Sequence, residues 1–276
     1  MQKELQEIWM GINDLLRKST KKKTSDISLK IGNNIVNNQK TVANHFNEFF
    51  TGVAQNLVNK LGNTTRKFAD YLPNRQSNSL FINPVSEFEV SDQISSLDAK
   101  KSSDAYDIPI KMVKAIKNEI VGPLTILINE SFSTGYCPKI LKFAKVIPIF
   151  KANSPLEVTN YRPISLLPIF NKVIEKLMYT RLNNFLEKNK VIFKHQFGFQ
   201  KNKSTTLAIL DVTTKLINAI EHKQFSCCIF LDFAKAFDTV DHEILLHKLE
   251  YYGIRGVALE WFRSYLKGRK KCLYWW

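Results

Sequence analysis

The stretch CCIFLDFAKAFDTVDHEILL, residues 227–246, decides how the fold of this chain is interpreted. Its first five residues are small or apolar, Asp232 follows them, and a helical pattern begins after Asp241. A short apolar run bounded by charged and small residues is typical of a buried central strand. We therefore predict a strand at 227–231 that brings the Asp232 carboxylate to the edge of a sheet, where a cleft opens.

A carboxylate in that position is a candidate ligand for a divalent metal. Mg²⁺ keeps several waters and is typically held by one or two carboxylates together with substrate phosphates, so Asp232 needs a second carboxylate. Phe237, five residues later, would lie over the space that a sugar occupies. Asp238 and Asp241 are expected to orient or cap the following helix rather than bind metal.

The composition indicates a polyanionic partner. The 276 residues include 40 Lys and Arg against 25 Asp and Glu, a formal net charge of +15. The positive electrostatic field of such a chain favours nucleic acid as a partner first and an anionic membrane surface second. The alternative explanation of the charge is that the excess lysines only keep the surface soluble. The four cysteines lack CxxC spacing, which argues against a zinc site, and no signal peptide or membrane-spanning run is recognised. We expect an intracellular protein, nuclear or cytoplasmic, without a membrane partner.

The first half of the chain is predicted to be mostly helical. An amphipathic helix is expected at 1–17, a basic linker or loosely held arm at 18–40, a helix at 41–61 that Gly62 ends, and a loop at 63–85. Ser86 and Glu89 form a capping box, and Pro109 suits the first turn of another helix. A third helix is expected from about Leu124 to Phe132, with Gly135 as its stop signal.

The sequence pattern after 143 predicts a β-hairpin followed by two helices. FAKVIPIFK (143–151) and NYRPISLL (160–167) are strand-like, and Pro148 and Pro163 argue that both strands lie at sheet edges. The hairpin carries three cations that would suit a triphosphate, although each alone could be a surface residue: Lys145, Lys151 and Arg162. A helix over 170–186 presents a core stripe, and Ser204 caps the next helix, which runs to about Ile220.

The motifs K-V-I-P-I-F-K, N-Y-R-P-I-S-L-L, H-Q-F-G-F-Q and F-L-D-F-A-K-A-F-D-T-V-D-H occur in that order. Their succession resembles the reverse transcriptase domain of non-LTR, LINE-type retrotransposons, close to the jockey-like group. The resemblance covers about 80–276, and an ordered series of motifs is far more specific than any one of them. The basic segment before it resembles the linker that follows the endonuclease domain in such elements.

The resemblance implies a role for each matching residue. Asp232 would be the first catalytic, metal-binding Asp, and Phe233 would contribute its carbonyl to the metal. Phe237 would be the steric gate that selects deoxynucleotides, while Arg162, with Lys151 or Lys145, would grip the incoming triphosphate. The template or nucleotide path would be lined by Gln196, Gly198, Gln200, Lys201 and Lys203.

Two departures from the family pattern stand out. Gln200 occupies a position where the family usually has Arg, and SDAYDIP (103–109) lacks the glycine of the usual SPGPDGIP-like stretch. The printed chain ends at KGRKKCLYWW without a YxDD- or FADD-like turn, and no Asp-Asp dipeptide occurs in it. Because two-metal phosphoryl transfer requires both carboxylate sources, we expect half an active site. HEILLH (242–247) has its histidines five apart, which does not fit a zinc-protease helix.

These observations predict an α+β, helix-rich, right-hand polymerase fragment with fingers and part of the palm. Residues 1–79 are assigned to a basic linker with helices, and 80–276 to a truncated reverse transcriptase domain. The expected function is RNA-directed DNA polymerase, inactive as this chain alone, with RNA template, DNA primer, deoxynucleotide triphosphates and Mg²⁺. Two alternatives stay open: a non-catalytic nucleic-acid-binding remnant, and a helical interaction protein with incidental basic charge.

Overall fold

The computed structural model describes residues 27–59, 68–72, 75–99, 103–233 and 235–273. Helices dominate and the sheets are small, so the α+β prediction is confirmed. The expected helix at 1–17 and the Gly62 cap lie outside the described residues. Within the described part, none of the helices is both long and apolar enough to cross a membrane.

The described residues form five strands, eight α-helices and three short 3₁₀ turns. The strands are β1 (Leu29–Ile31), β2 (Asn34–Val36), β3 (Phe143–Phe150), β4 (Tyr161–Leu166) and β5 (Lys270–Leu273). The helices are α1 (Gln39–Val58), α2 (Glu87–Ser95), α3 (Ile110–Ala115), α4 (Lys117–Thr134), α5 (Ile169–Lys188), α6 (Thr205–Glu221), α7 (His242–Tyr251) and α8 (Val257–Leu266). Three short 3₁₀ turns are Phe68–Tyr71, Lys139–Lys142 and Val158–Asn160.

The chain divides into two compact units that are discontinuous in sequence. The first comprises residues 1–52, 145–165 and 272–276, and the second comprises 53–144 and 166–271. The division between 1–79 and 80–276 remains a prediction.

The first unit begins with a hairpin where a loosely held arm was expected. β1 and β2 pair antiparallel, with Leu29 opposite Val36 and Ile31 opposite Asn34, around a turn in which Gly32 has a φ of 61°. The linker prediction for 18–40 is therefore wrong over 29–36. The hairpin has three apolar residues, Leu29, Ile31 and Val36, and Leu29 is fully buried. The many Asn and Lys residues around them make the segment polar on average, so its composition does not indicate strands.

A three-stranded sheet has the order β4-β3-β5. Lys151 N donates to Asn160 O at 2.8 Å, which closes the predicted β3–β4 hairpin. Pro163 lies on the edge strand β4, as expected, whereas the edge prediction for Pro148 is wrong because β3 is the central strand. β5 has four residues and β3 has eight, so β5 cannot pair with the whole length of β3. A position of β3 without a partner on that side can accommodate a proline, which has no N–H to donate. The core of this unit consists of Leu29, Val42, Phe46, Val146, Tyr161 and Leu273.

The second unit is built on a larger core in which α2, α4, α5 and α8 pack together. The stripe of α5 predicted to be core is confirmed, since Val173, Ile174, Leu177 and Met178 are buried. Ser86 and Glu89 form the predicted capping box of α2, and Gly135, with a φ of 69°, ends α4. Trp261 of α8 packs edge to face on Phe132, with ring centroids 5.8 Å apart.

A buried carboxylate holds the SDAYDIP stretch against α5. Asp104 is 2% exposed. Its Oδ1 accepts from Tyr106 N at 2.8 Å and Ile108 N at 2.9 Å, and its Oδ2 accepts from Ile169 N at 2.9 Å. Asp107, within this stretch that lacks the family's usual glycine, takes a left-handed φ of 59°. Asp tolerates that conformation better than most side chains, which explains how the turn forms without the glycine.

The end of α7 is held against an earlier segment through a close backbone approach. Leu80 N donates to Gly253 O at 2.8 Å. Gly253 has a φ of 98°, and a Cβ built there would lie 2.3 Å from Asn78 O, so only glycine fits.

The polypeptide from α6 to Phe237 does not pack as the sequence predicts. Residues 224–233 form no strand, and Ile229, Phe230 and Leu231 are each more than 80% exposed. The buried central strand predicted at 227–231 is therefore wrong for this structure. A strand requires a hydrogen-bonded neighbour, and none of the described strands pairs with this segment. α6 forms as predicted, yet none of its residues is buried.

Candidate nucleic-acid interface

The loop between α5 and α6 is shaped by local hydrogen bonds. Lys203 Nζ lies 4.7 Å from the centre of the Phe197 ring and donates to Lys194 O at 3.1 Å. Gln196 Nε2 donates to Gly198 O at 3.2 Å. Ser204 accepts from Leu207 N at 3.2 Å, so the predicted cap of α6 is confirmed. The loop thus has a defined backbone that presents charged and aromatic side chains.

An ion cluster fastens the same loop to α6. His195 Nδ1 lies 3.0 Å from Asp211 Oδ2, and Lys215 Nζ lies 2.9 Å from that oxygen. The hydrogen bond from Lys215 is the largest influence on the pKa of the Asp211 carboxyl and lowers it; desolvation opposes this shift, and the His195 hydrogen bond supports it. The carboxylate remains ionised near neutral pH and can anchor the loop there.

The loop carries an aromatic ring into contact with the predicted sugar gate. The rings of Phe199 and Phe237 meet edge to face, with centroids 5.9 Å apart and planes at 81°. Both side chains are more than 80% exposed. Phe199 also has a left-handed φ of 61°, an unfavourable conformation for a bulky residue. The structure therefore displays two adjacent rings to solvent at a local conformational cost.

Polar and charged residues flank Phe199 in the sequence. Lys201, Lys203, Gln196 and Gly198 are exposed, and Gln200 is half-buried. Aromatic rings beside Lys or Arg are the combination that single-stranded nucleic acids bind, because bases stack on the rings while cations contact phosphates. The residues predicted to line the template path, within 196–203, include Gly198 and the lysines, and Phe199 lies in the same segment without a role of its own. The available signal was the F-G-F triplet between His195 and Lys201.

Asp232 and Phe233 follow the exposed run 224–231. Both side chains are exposed, and no strand holds them in place. The described residues contain no group of three or more His, Cys, Asp and Glu side chains that could hold a metal ion. The residues described around Asp232 therefore do not by themselves fit a two-metal site, and the metal role of Asp232 and Phe233 stays a prediction.

The turn after Asp232 leads into α7 and is closed by backbone hydrogen bonds. Asp238 N donates to Lys235 O at 2.8 Å, which shapes the segment that carries Phe237. Asp241 accepts from Glu243 N at 2.8 Å and Ile244 N at 3.0 Å. The prediction that Asp241 caps the following helix is thus confirmed.

The three cations predicted to grip a triphosphate differ in exposure. Lys151, directly after β3, and Arg162, on β4, are exposed. Lys145 is only 4% exposed. Among these three, Lys151 and Arg162 are therefore the exposed residues, and Lys145 is buried.

Comparison of the sequence with known proteins identifies a family that it resembles. Residues 149–275 match the model of "Reverse transcriptase (RNA-dependent DNA polymerase)". The chain is 31% identical over 199 residues to the "Probable RNA-directed DNA polymerase from transposon BS" of Drosophila melanogaster, covering 70% of this chain and 21% of that protein. It is 33% identical over 184 residues to the "RNA-directed DNA polymerase from mobile element jockey" of the same species, covering 66% of this chain and 20% of that protein.

A further relative is the jockey RNA-directed DNA polymerase of Drosophila funebris, 31% identical over 193 residues, with 70% of this chain and 21% of the relative covered. The matched segment spans about a fifth of the length of these relatives. The chain therefore carries a reverse transcriptase domain. It belongs with the jockey-like, non-LTR retrotransposon group of that family, whose members generally use divalent metal ions.

Proposed function

We propose that this chain is the template-contacting part of a retrotransposon RNA-directed DNA polymerase and that it binds single-stranded RNA. The observation that carries the proposal is the exposed Phe199–Phe237 pair next to Lys201 and Lys203. A flexible single strand can stack a base on either ring while the lysines contact its phosphates. The formal charge of +15 adds attraction at longer range.

The remaining roles follow from the family assignment. Asp232 is one carboxylate ligand of Mg²⁺, and Phe233 contributes its backbone carbonyl. Phe237 discriminates against the ribose 2′-OH, and Arg162 with Lys151 holds the triphosphate of a deoxynucleotide added to a DNA primer. Gln196, Gly198 and Gln200 line the path of the RNA template. Nuclear or cytoplasmic location fits these substrates.

Nucleotide addition requires a complete metal site, which the described residues do not form. A hard divalent cation lowers the charge of the phosphates when it is bound between carboxylates. Asp232 supplies one carboxylate, and a second source is required to hold two metal ions. The chain's own residues bind the RNA. The two rings stack on bases, the lysines neutralise phosphates, and His195 and Asp211 hold the loop in place.

The test is a titration of fluorescein-labelled single-stranded RNA with the 276-residue chain, followed by anisotropy. A primer-extension assay with Mg²⁺ is run on the same sample. We expect saturable binding that unlabelled RNA competes away, without detectable extension, because the described residues assemble no cluster of metal-ligating side chains with Asp232. A folded, soluble sample that does not bind RNA would refute the proposal and favour the helical interaction protein.

Measurable extension would instead show that other residues of this chain complete the metal site. In that case Asp232→Ala should abolish extension while leaving RNA affinity unchanged or slightly higher, since one negative charge is removed beside a polyanion. An equal loss of extension and of RNA affinity in this variant would contradict the proposal that Asp232 serves catalysis while the aromatic surface serves binding.

A further inference from the structure

An apolar groove runs along α4 on a face that the nucleic-acid interface does not use. It encloses about 510 Å³. One wall is α4 itself, with Ile120 and Leu127, and the opposite wall is the segment after α4, with Tyr136 and Ile140. Phe170 of α5 also contributes to the lining. The groove lies wholly within the second unit.

The walls of the groove are fixed by hydrogen bonds rather than left to adapt. Ser131 Oγ donates to Tyr136 O at 2.6 Å, and the buried Trp261 Nε1 donates to Ser131 Oγ at 3.1 Å. Tyr106 OH donates to Ile140 O at 2.8 Å. A preformed groove binds a partner at a lower ordering cost than a surface that must rearrange.

Large apolar side chains remain exposed along this groove. Leu127 is 65% exposed, Ile140 is 65% exposed, and the neighbouring Ile126 is 70% exposed. Contiguous exposed apolar surface rimmed by polar groups marks an interaction site in soluble proteins. The dimensions suit one face of a helix, which inserts apolar side chains at i, i+3/i+4 and i+7 into such grooves.

Two acidic residues give the groove a charge opposite to that of the chain as a whole. Glu119 and Glu130 line the α4 side, and both are exposed. Within the described part of the chain, neither carboxylate forms a hydrogen bond or an ion pair. They are eleven residues apart, about three turns, so they lie on the same side of α4 and roughly 16 Å from each other along its axis.

We propose that this α4 groove docks an amphipathic helix of a partner protein that carries basic residues along one edge. The apolar face of that helix fills the groove, and two Lys or Arg residues about three turns apart pair with Glu119 and Glu130. Phosphate-bearing partners are disfavoured because the two carboxylates repel them.

The probe for this proposal is a fluorescein-labelled helical peptide of about 20 residues with leucines at helical spacing and two lysines eleven positions apart. Anisotropy measures its binding to the full chain. Leu127→Ser should weaken binding roughly tenfold, as truncation of a central apolar anchor does. Ile209→Ser is the matched control, because Ile209 on α6 is also 65% exposed.

A charge exchange tests the acidic rim. Glu130→Lys should weaken binding of the lysine peptide roughly fivefold, and a peptide with glutamates in place of the two lysines should bind this variant better than it binds the unmodified chain. Glu221→Lys makes the same charge change away from the groove and should leave both affinities unchanged.

Three results would overturn the proposal. One is the absence of measurable binding by the lysine peptide. A second is an equal effect of Leu127→Ser and Ile209→Ser. The third is competition by single-stranded RNA: if RNA displaces the peptide equally well from the unmodified chain and from Leu127→Ser, the peptide binds the nucleic-acid surface and not the groove.

Discussion

The ring of Phe199 meets the ring of Phe237 edge to face, with centroids 5.9 Å apart. One residue belongs to the loop before α6 and the other to the turn before α7, so the contact joins the predicted template path to the predicted sugar gate. Both rings stay more than 80% exposed despite their contact. An exposed aromatic pair of this kind offers stacking surface to unpaired bases.

Replacing Phe199 by Ala should weaken binding of single-stranded RNA by roughly fivefold or more, because one stacked base is worth about 1–3 kcal/mol. Stability should not fall, since the ring is 82% exposed and alanine meets the same backbone conformation. Phe88→Ala on α2 is the control, because Phe88 is 80% exposed and distant in sequence from the loop. Equal affinity losses in the two variants would contradict a specific role for Phe199.

Phe230→Lys tests whether the run before Asp232 is exposed. Phe230 is 86% exposed, so a charged side chain there should change the free energy of unfolding by less than about 0.5 kcal/mol. It should also reduce aggregation, because it interrupts an exposed β-prone segment. Urea unfolding and light scattering measure the two effects. A loss of several kcal/mol would show that 227–231 is the buried strand which the sequence alone predicts.

Asp104→Ala should destabilise the second unit by about 3 kcal/mol. The substitution leaves three backbone N–H groups, those of Tyr106, Ile108 and Ile169, without the carboxylate that accepts from them. Chemical denaturation followed by tryptophan fluorescence provides the measurement. Asp92→Ala, on the exposed side of α2, should cost less than about 0.5 kcal/mol. Similar costs at both sites would refute the structural role of Asp104.

The Glu89–Arg181 pair should make stability depend on pH in the acid range. Burial acts to raise the pKa of Glu89, but the Ser86 N–H and the Arg181 guanidinium, 3.2 Å away, outweigh it and hold the pKa below 4.5. The unfolded state therefore binds a proton first, and the stabilisation present above about pH 4.5 is lost as pH falls through the folded-state value. Urea midpoints should fall less steeply below that pH in Glu89→Gln. An unchanged pH profile would contradict the assignment.

Local sequence signals predicted the helices and their caps well. The Ser86 capping box, the Ser204 cap and the Asp241 cap are confirmed because each depends on side chains within a few residues of the helix start. The α5 stripe is likewise confirmed, since its helical spacing selects one buried face. Such interactions need no knowledge of distant parts of the chain.

Signals that depend on distant partners were less informative. The run at 227–231 has the composition of a central strand, yet a strand forms only beside a hydrogen-bonded neighbour, and none is described here. β1 and β2 were missed because their few apolar residues stand among Asn and Lys. The approach of Phe199 to Phe237 could not be predicted either, because it depends on how two turns far apart in the sequence fold.

The salt dependence of single-stranded RNA binding tests the central claim most directly. For the unmodified chain, log affinity should fall linearly with log salt, by about 0.7 for each phosphate neutralised. Lys201→Ala/Lys203→Ala should reduce the magnitude of that slope by about 1.4, whereas the control Lys111→Ala/Lys248→Ala, which removes two exposed lysines elsewhere, should leave it nearly unchanged. An identical slope in both double variants, or binding that does not depend on salt, would contradict the account.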